Sequence, residues 1–386
     1  MKEKYSFSTD VVLVLDPRGV IYGGGNDTII RHSVYGEMFS KVNKSINTKY
    51  IILSSSEHNS KSNYDSGVFS LIRISKPTFN SYRFARLACR VIKKNKWDVK
   101  LLIAGDPWES FWSAYMVKKL LKRNIPIQMQ IHADIGDSNW RKISIINKAR
   151  FVLAKISIPI SDYFRVVSKA QSEFLKTNYS IQIRRVVTIP VPINTNFSRI
   201  PVRHRRPKSI GFIGRIHNDR GIWDFINLVT VLNEFDKEFK IVLIGDGPDK
   251  DQFLSKIKKS ISKSRIEFLG NLPQKKMSKV WMKIGVVVSM APVESYGRVM
   301  REALLVGIPV WATPSNGASE LLRITDPGTM RIIDRSKGAK ELSKEFNSLL
   351  KSVVGPNFRN KFIKENSTYA ENLAKSWVSI IRNTSK

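Results

Sequence analysis

The chain carries one cysteine in 386 residues, and acidic groups are scarce: 32 Asp and Glu against 65 Lys and Arg. The lone Cys89 excludes an intrachain disulfide and suits a reducing compartment. Apolar runs are short. The longest, "IGVVVSMAPV" at 284 to 293, falls under the roughly 20 residues a membrane-spanning helix needs, and the amino terminus has no signal-peptide core. No membrane span is expected, and a cytoplasmic location is. Missing too are G-x-x-x-x-G-K-[ST], H-E-x-x-H, paired C-x-x-C and G-x-S-x-G, which sets aside the common NTPases, zinc enzymes and α/β-hydrolases.

What is present is positive charge. A net charge of +33 and a pI near 10.2 favour anionic partners: nucleotide phosphates, an acidic membrane face or nucleic acid. Short β-branched runs alternate with longer helical patterns. They are "VVLVL" (11 to 15), "YIILSS" (50 to 55), "VKLLIAG" (99 to 105), "IPIQMQIHA" (125 to 133), "YFRVVS" (163 to 168) and "VVTIPV" (186 to 191), then "SIGFIG" (209 to 214), "KIVLIG" (240 to 245), "IEFLG" (266 to 270), "IGVVVSM" (284 to 290) and "IPVWAT" (308 to 313). Continuous apolar strands between helices predict parallel sheets, and two such sets predict two Rossmann-like α/β domains, 1–200 and 201–365, with a helix over 366–386. The basic, proline-punctuated "RIPVRHRRPKS" (199 to 209) reads as a solvated linker. In the last helix Tyr369, Leu373, Trp377 and Ile380 recur at helical spacing, which predicts a packing stripe.

Ligands of open α/β sheets bind beyond the carboxyl ends of strands, where loops and helix starts converge. Beyond "GFIG", Gly214 leads to Arg215 and Arg220, whose forked donors suit a diphosphate. "GDGP" supplies a tight turn but lacks the third glycine of a dinucleotide fingerprint. The D-x-D of Asp249 and Asp251 reads as helix-opening acids that complement the dipole, in preference to a metal site. In "ESYGRVMREALLVGIPV" (294 to 310) the carboxylates Glu294 and Glu302 are eight residues apart, about 12 Å along a continuous helix. If the helix starts between them, its free N–H groups near Gly297, Arg298 and Val299 can bind an anion, and Glu302 in the second turn can accept from a sugar hydroxyl; alone, Glu302 also suits an ordinary exposed helix position. In the first half, Gly23, Gly24 and Gly25 precede a helix opened by Asp27 or Thr28, as a ligand approach or a plain loop, and His132 ends an apolar strand.

Strand-Gly-Arg, "GDGP", "EFLG", "ESYGRVMREALLVGIPV" and "NGASELL", in that order, resemble the retaining family 4 (group 1) glycosyltransferases, with Glu294 and Glu302 similar to their E-x7-E signature. The resemblance implies the two-domain GT-B fold, with the last helix crossing back to the first domain. It implies that Glu302 binds the ribose of a UDP- or GDP-linked sugar and Glu294 the donor-sugar hydroxyls. Gly297, Arg298 and Val299 would meet the distal phosphate, and Arg215 and Arg220 the diphosphate. Gly24 and Gly25 would approach donor or acceptor, and His132 would line the reaction centre. The base would be met near Phe268 to Leu272. The family's usual lysine reads Arg220 here, its Pro-Ser reads Met290-Ala291, and its "PNG" reads Pro190-Val191-Pro192.

The expected reaction is retaining hexosyl transfer to a glycan or polyprenyl-linked acceptor for cell-surface polysaccharide or glycolipid. No metal or other cofactor is expected, since the arginines and the helix start meet the developing charge. The basic amphipathic stretch at 140 to 164, with Arg141, Lys142, Lys148, Arg150 and Lys155, either lies on an anionic inner membrane face or packs on its own domain. The alternatives are a nucleotide-sugar epimerase, which needs no acceptor, and a non-catalytic RNA-binding protein, which leaves the ordered motifs without a role.

Overall fold

The computed structural model describes residues 9–23, 25–43, 48–57, 63–200 and 206–384. The chain forms two compact units, Met1–Pro190 with Thr368–Lys386, and Val191–Ser367. The sequence boundaries stood at 200/201 and 365/366; the units divide at 190/191 and 367/368.

The first unit holds β1 (Thr9–Asp16), β2 (Thr48–Ser55), β3 (Tyr64–Asp65), β4 (Phe69–Ser75), β5 (Trp97–Ala104), β6 (Ile127–Ile131), β7 (Tyr163–Val166) and β8 (Val186–Thr188), in the order β3-β4-β2-β1-β5-β6-β7-β8. Its strand pairs are parallel except β3 on β4. Residues 11 to 15 of β1 are all buried, because a parallel sheet flanked by helices has no wet face and so needs no alternation. Cys89 is free and buried on the helix Ser81–Lys94.

The final helix, Tyr369–Thr384, belongs to this unit. Its stripe is buried as the spacing predicts, with Tyr369, Leu373, Trp377 and Ile380 each at 5% exposure or less. Two polar bonds fix its register: Trp377 Nε1 donates to Gln128 Oε1 at 3.1 Å, and Arg165 Nη2 donates to the Tyr369 hydroxyl at 2.6 Å. Trp377 also stacks on Tyr50, with ring centroids 5.0 Å apart.

The second unit holds β9 (Ser209–Ile213), β10 (Lys240–Ile244), β11 (Ile266–Phe268), β12 (Val286–Ser289), β13 (Val310–Ala312) and β14 (Met330–Ile332), all parallel, in the order β11-β10-β9-β12-β13-β14. The chain runs outward from β9 to β11, then returns to β12 on the other side of β9. That reversal opens a crevice at the carboxyl ends of β9 and β12, the switch point where such sheets bind ligands.

The basic stretch read as a solvated linker is partly built in. Residues 201–205 lie outside the described residues, but Arg206 donates to Leu350 O at 3.0 Å, Ser352 O at 2.6 Å and Gly307 O at 2.8 Å. Three carbonyls of the second unit hold it, so this end of the stretch is anchored rather than solvated.

Candidate active site

A cleft of about 220 Å³ opens at the switch point of the second sheet. Gly214, Arg215 and Arg220 line it from the β9 side, and Ser289, Met290, Glu294 and Gly297 to Met300 from the β12 side. Local geometry brings these loops together. Gly221 follows the short 3₁₀ turn Asn218–Arg220 at φ +67°, and a Cβ there would stand 2.0 Å from Met290 O. Only glycine lets the loop carrying Arg220 lie so close to the end of β12.

The helix Arg298–Leu305 starts between the two carboxylates, with Gly297 left-handed at its N-cap. Glu294 stays on the preceding loop and Glu302 falls in the second turn. Glu294 joins the two sides of the cleft. Its Oε2 accepts from Arg220 Nη1 at 3.1 Å, and its Oε1 accepts the Gly297 N–H at 3.1 Å. The Gly297 donor expected to face a phosphate is thus engaged by a carboxylate. The first bond within the helix runs from Arg301 N to Gly297 O at 3.0 Å, so the N–H groups of Arg298, Val299 and Met300 are left over from the helix's own ladder.

Glu302 is 7% exposed and its Oε1 accepts from Arg298 Nε at 3.0 Å. Burial pushes its carboxyl above the ordinary glutamate value, opposed by the Arg298 charge, its hydrogen bond and the Asn194 N–H. Arg215 pairs with Asp219, and Asp219 Oδ1 lies 2.8 Å from His217 Nδ1. Arg215 and Arg220 remain 54% and 41% exposed at their side chains, so each guanidinium, though held by a carboxylate, keeps a solvent-facing side for an incoming anion.

Other predicted residues lie elsewhere. Leu272 follows β11, an edge strand two positions from β9, and does not line the cleft. Gly24 lies outside the described residues, and Gly25 is the first residue of the helix Gly25–Asn43. Neither Asp27 nor Thr28 opens that stretch: a short helix, Val20–Gly23, comes first, and Asp16 accepts the Val20 and Ile21 N–H groups at 3.1 and 2.9 Å. His132 follows β6 in the first unit, exposed, with Nε2 3.2 Å from Gln130 Oε1. Enclosure, then Arg165 and Arg31, hold its pKa below the histidine value; because solvent reaches the residue, repulsion from the two guanidinium groups is the firmer cause.

The "GDGP" turn is structural. A Cβ on Gly247 would stand 2.1 Å from Ile216 O, so the turn packs backbone to backbone against the loop after β9. Asp249 makes no side-chain cap for its helix and accepts instead from Asn218 N at 2.8 Å, tethering the loop that carries Arg220. Only Asp251 stands in the helix's first turn.

Sequence reasoning passed over three groups. Gly317 N donates to Glu294 O at 2.6 Å and so holds the glutamate loop from the helix Asn316–Leu322. Arg301 is 1% exposed beneath that loop, its guanidinium 3.8 Å from the Tyr296 ring centroid. Its pKa is lowered by burial, with Tyr296, Glu320 and Glu294 acting the other way. In the first unit, where β1 lies between β2 and β5, Arg18 Nη2 donates to the buried Asp106 at 2.8 Å across the two strand ends. "DPRG" and "GDPW" immediately after apolar strands were the signal available for that pair.

Residues 194–368 match the family model described as glycosyl transferases group 1. The 2-deoxystreptamine glucosyltransferase of Streptomyces kanamyceticus is 26% identical over 121 residues, 31% of either chain. The N-acetyl-alpha-D-glucosaminyl L-malate synthase of Bacillus anthracis is 21% identical over 231 residues, 59% of this chain and 60% of that protein. The aligned part thus spans 31% and 60% of the length of these relatives. Anabaena HepE, solved in complex with UDP and glucose, superposes over 98% of both chains with a TM-score of 0.57 at 14% identity. The likeness is one of fold, two parallel-sheet α/β domains of the GT-B type.

Proposed function

We propose, from the match of residues 194–368 to the group 1 glycosyltransferase model, that the chain transfers a hexosyl group, with retention, from a UDP- or GDP-linked sugar to a glycan or polyprenyl-linked acceptor. One observation carries the reading: Glu294, Arg220 and the start of the helix Arg298–Leu305 meet in one cleft at the switch point. Two exposed guanidinium groups and a helix N-terminus suit a diphosphate, and carboxylates suit sugar hydroxyls. The UDP held by HepE supports a nucleotide-sugar donor.

The bond between the sugar's anomeric carbon and the diphosphate oxygen breaks, and the acceptor hydroxyl oxygen bonds to that carbon on the same face. The hydroxyl proton passes to the departing diphosphate. Arg215, Arg220 and the N–H groups of Arg298 to Met300 stabilise the negative charge that develops on it. This charge complement is the protein's own, and the reading calls on no metal. Glu302, buried and paired with Arg298, would accept from the ribose once Arg298 gives way. Glu294 would exchange Arg220 and the Gly297 N–H for donor-sugar hydroxyls.

The test is acceptor-dependent release of nucleoside diphosphate across a panel of nucleotide sugars, with the product's anomeric configuration read by NMR. Retention supports the reading. An inverted product overturns the mechanism, donor turnover without acceptor points to an epimerase, and salt-sensitive RNA binding with no sugar turnover points to the binding-protein alternative.

A further inference from the structure

The helix Ile145–Ile160 in the first unit is mounted with its apolar side outward. At 3.6 residues per turn, Ile145, Ile146, Val152, Leu153, Ile156 and Ile160 fall within an arc of about 120°. All six are exposed, from 37% at Leu153 to 82% at Ile145. The side that meets the protein buries Ala154 and Ile158 and adds polar ties: Ser157 Oγ donates to Pro107 O at 2.6 Å, Asn147 Nδ2 donates to Trp140 O at 2.9 Å, and Arg150 Nη2 reaches Glu109 Oε1 at 3.5 Å. A helix serving only its own domain turns the apolar stripe inward. A contiguous exposed one marks an interaction surface.

Charge selects the occupant. Lys148 and Lys155, both exposed, border the arc along one edge, Arg141 and Lys142 precede the helix, and residues 141 to 160 contain no acidic group. A second copy of the chain would set like charge against like, whereas an anionic lipid surface complements both the apolar arc and its basic edge. With 16 residues the helix is about 24 Å long, and no helix among the described residues is long and apolar enough to cross a membrane. We propose that this helix seats the protein on an anionic bilayer, lying in the headgroup plane with the isoleucine-rich arc toward the acyl chains and the lysine edge at the phosphates. The inference stands on this helix alone and does not depend on the transfer reaction.

Flotation of the full chain with phosphatidylglycerol/phosphatidylcholine vesicles, against pure phosphatidylcholine, tests it at low and high salt. The wild type is expected to float with the anionic vesicles and not the neutral ones. The triple variant Ile146→Ser, Val152→Ser, Ile156→Ser should lose binding about tenfold or more, and Lys148→Glu with Lys155→Glu should lose the anionic preference by a similar factor. All five positions are exposed, and a thermal melt confirms that both variants fold. Failure of the wild type to bind anionic vesicles at low salt overturns the proposal, as does a folded serine variant that binds as well as the wild type. Self-association of the wild type that the serine variant abolishes, without vesicle binding, assigns the surface to a second copy instead. No donor enters the assay, so its failure is separate from a failure of the transfer reading.

Discussion

Glu294 accepts from Arg220 Nη1 at 3.1 Å, linking two loops that leave different strands of one sheet. Gly221 permits the contact on one side, and the Gly317 N–H fixes the Glu294 loop on the other. The carboxylate holds the arginine at the cleft, where, under the proposed function, a diphosphate would compete for it.

Removal of that arginine should therefore cost transition-state stabilisation rather than fold. Arg220→Ala is expected to lower kcat/KM by about a hundredfold or more, the usual loss for one charge-stabilising donor. Arg220→Lys should recover part of it, since the charge stays while the fork is lost. Steady-state kinetics with a melt as control decide it; unchanged turnover in folded Arg220→Ala would contradict the role.

Gly221 is the backbone counterpart. Gly221→Ala sets a Cβ 2.0 Å from Met290 O at a left-handed φ, and should destabilise by about 3 kcal/mol or more while also lowering activity. Denaturant titration measures the first effect. Wild-type stability in this variant would mean that the two loops are not held together as described.

Glu302 ties function to pH. Its folded pKa is raised, so the proton binds more tightly in the folded state; the associated stability is complete below the unfolded value and is lost as pH rises through the folded one. Glu302→Gln removes this ionisation. Relative to the wild type it should gain stability as pH rises from 4 to about 7, while donor affinity falls about tenfold through loss of a charged acceptor. Melting curves across pH check the sign, and an advantage that shrinks toward neutral pH would refute it.

The alternation of apolar runs and helices made both sheets readable, and of the two readings the spacing of Glu294 and Glu302 left open, a continuous helix or a helix start between them, the structure takes the second. β4 carries no clean period in sequence: Leu71 and Ile72 break the alternation of "FSLIRIS", and Arg73 with the flanking serines masks a strand only partly buried. β14 has three residues, too few for any period to show. At the site, Arg301 reads in sequence as one more surface cation, and only the packing of Tyr296 over it reveals a buried one. The "GDGP" glycines and Asp249 were legible as a turn and a helix opening, but that they brace the Arg220 loop is a long-range contact with no local signature.

Binding of nucleoside diphosphates to the full chain, followed by titration calorimetry, tests the central claim most directly. The account predicts one site for UDP or GDP, weakened about tenfold or more by Arg215→Ala or Arg220→Ala in folded protein. Absence of binding to either nucleotide, or binding that neither substitution alters, would contradict it.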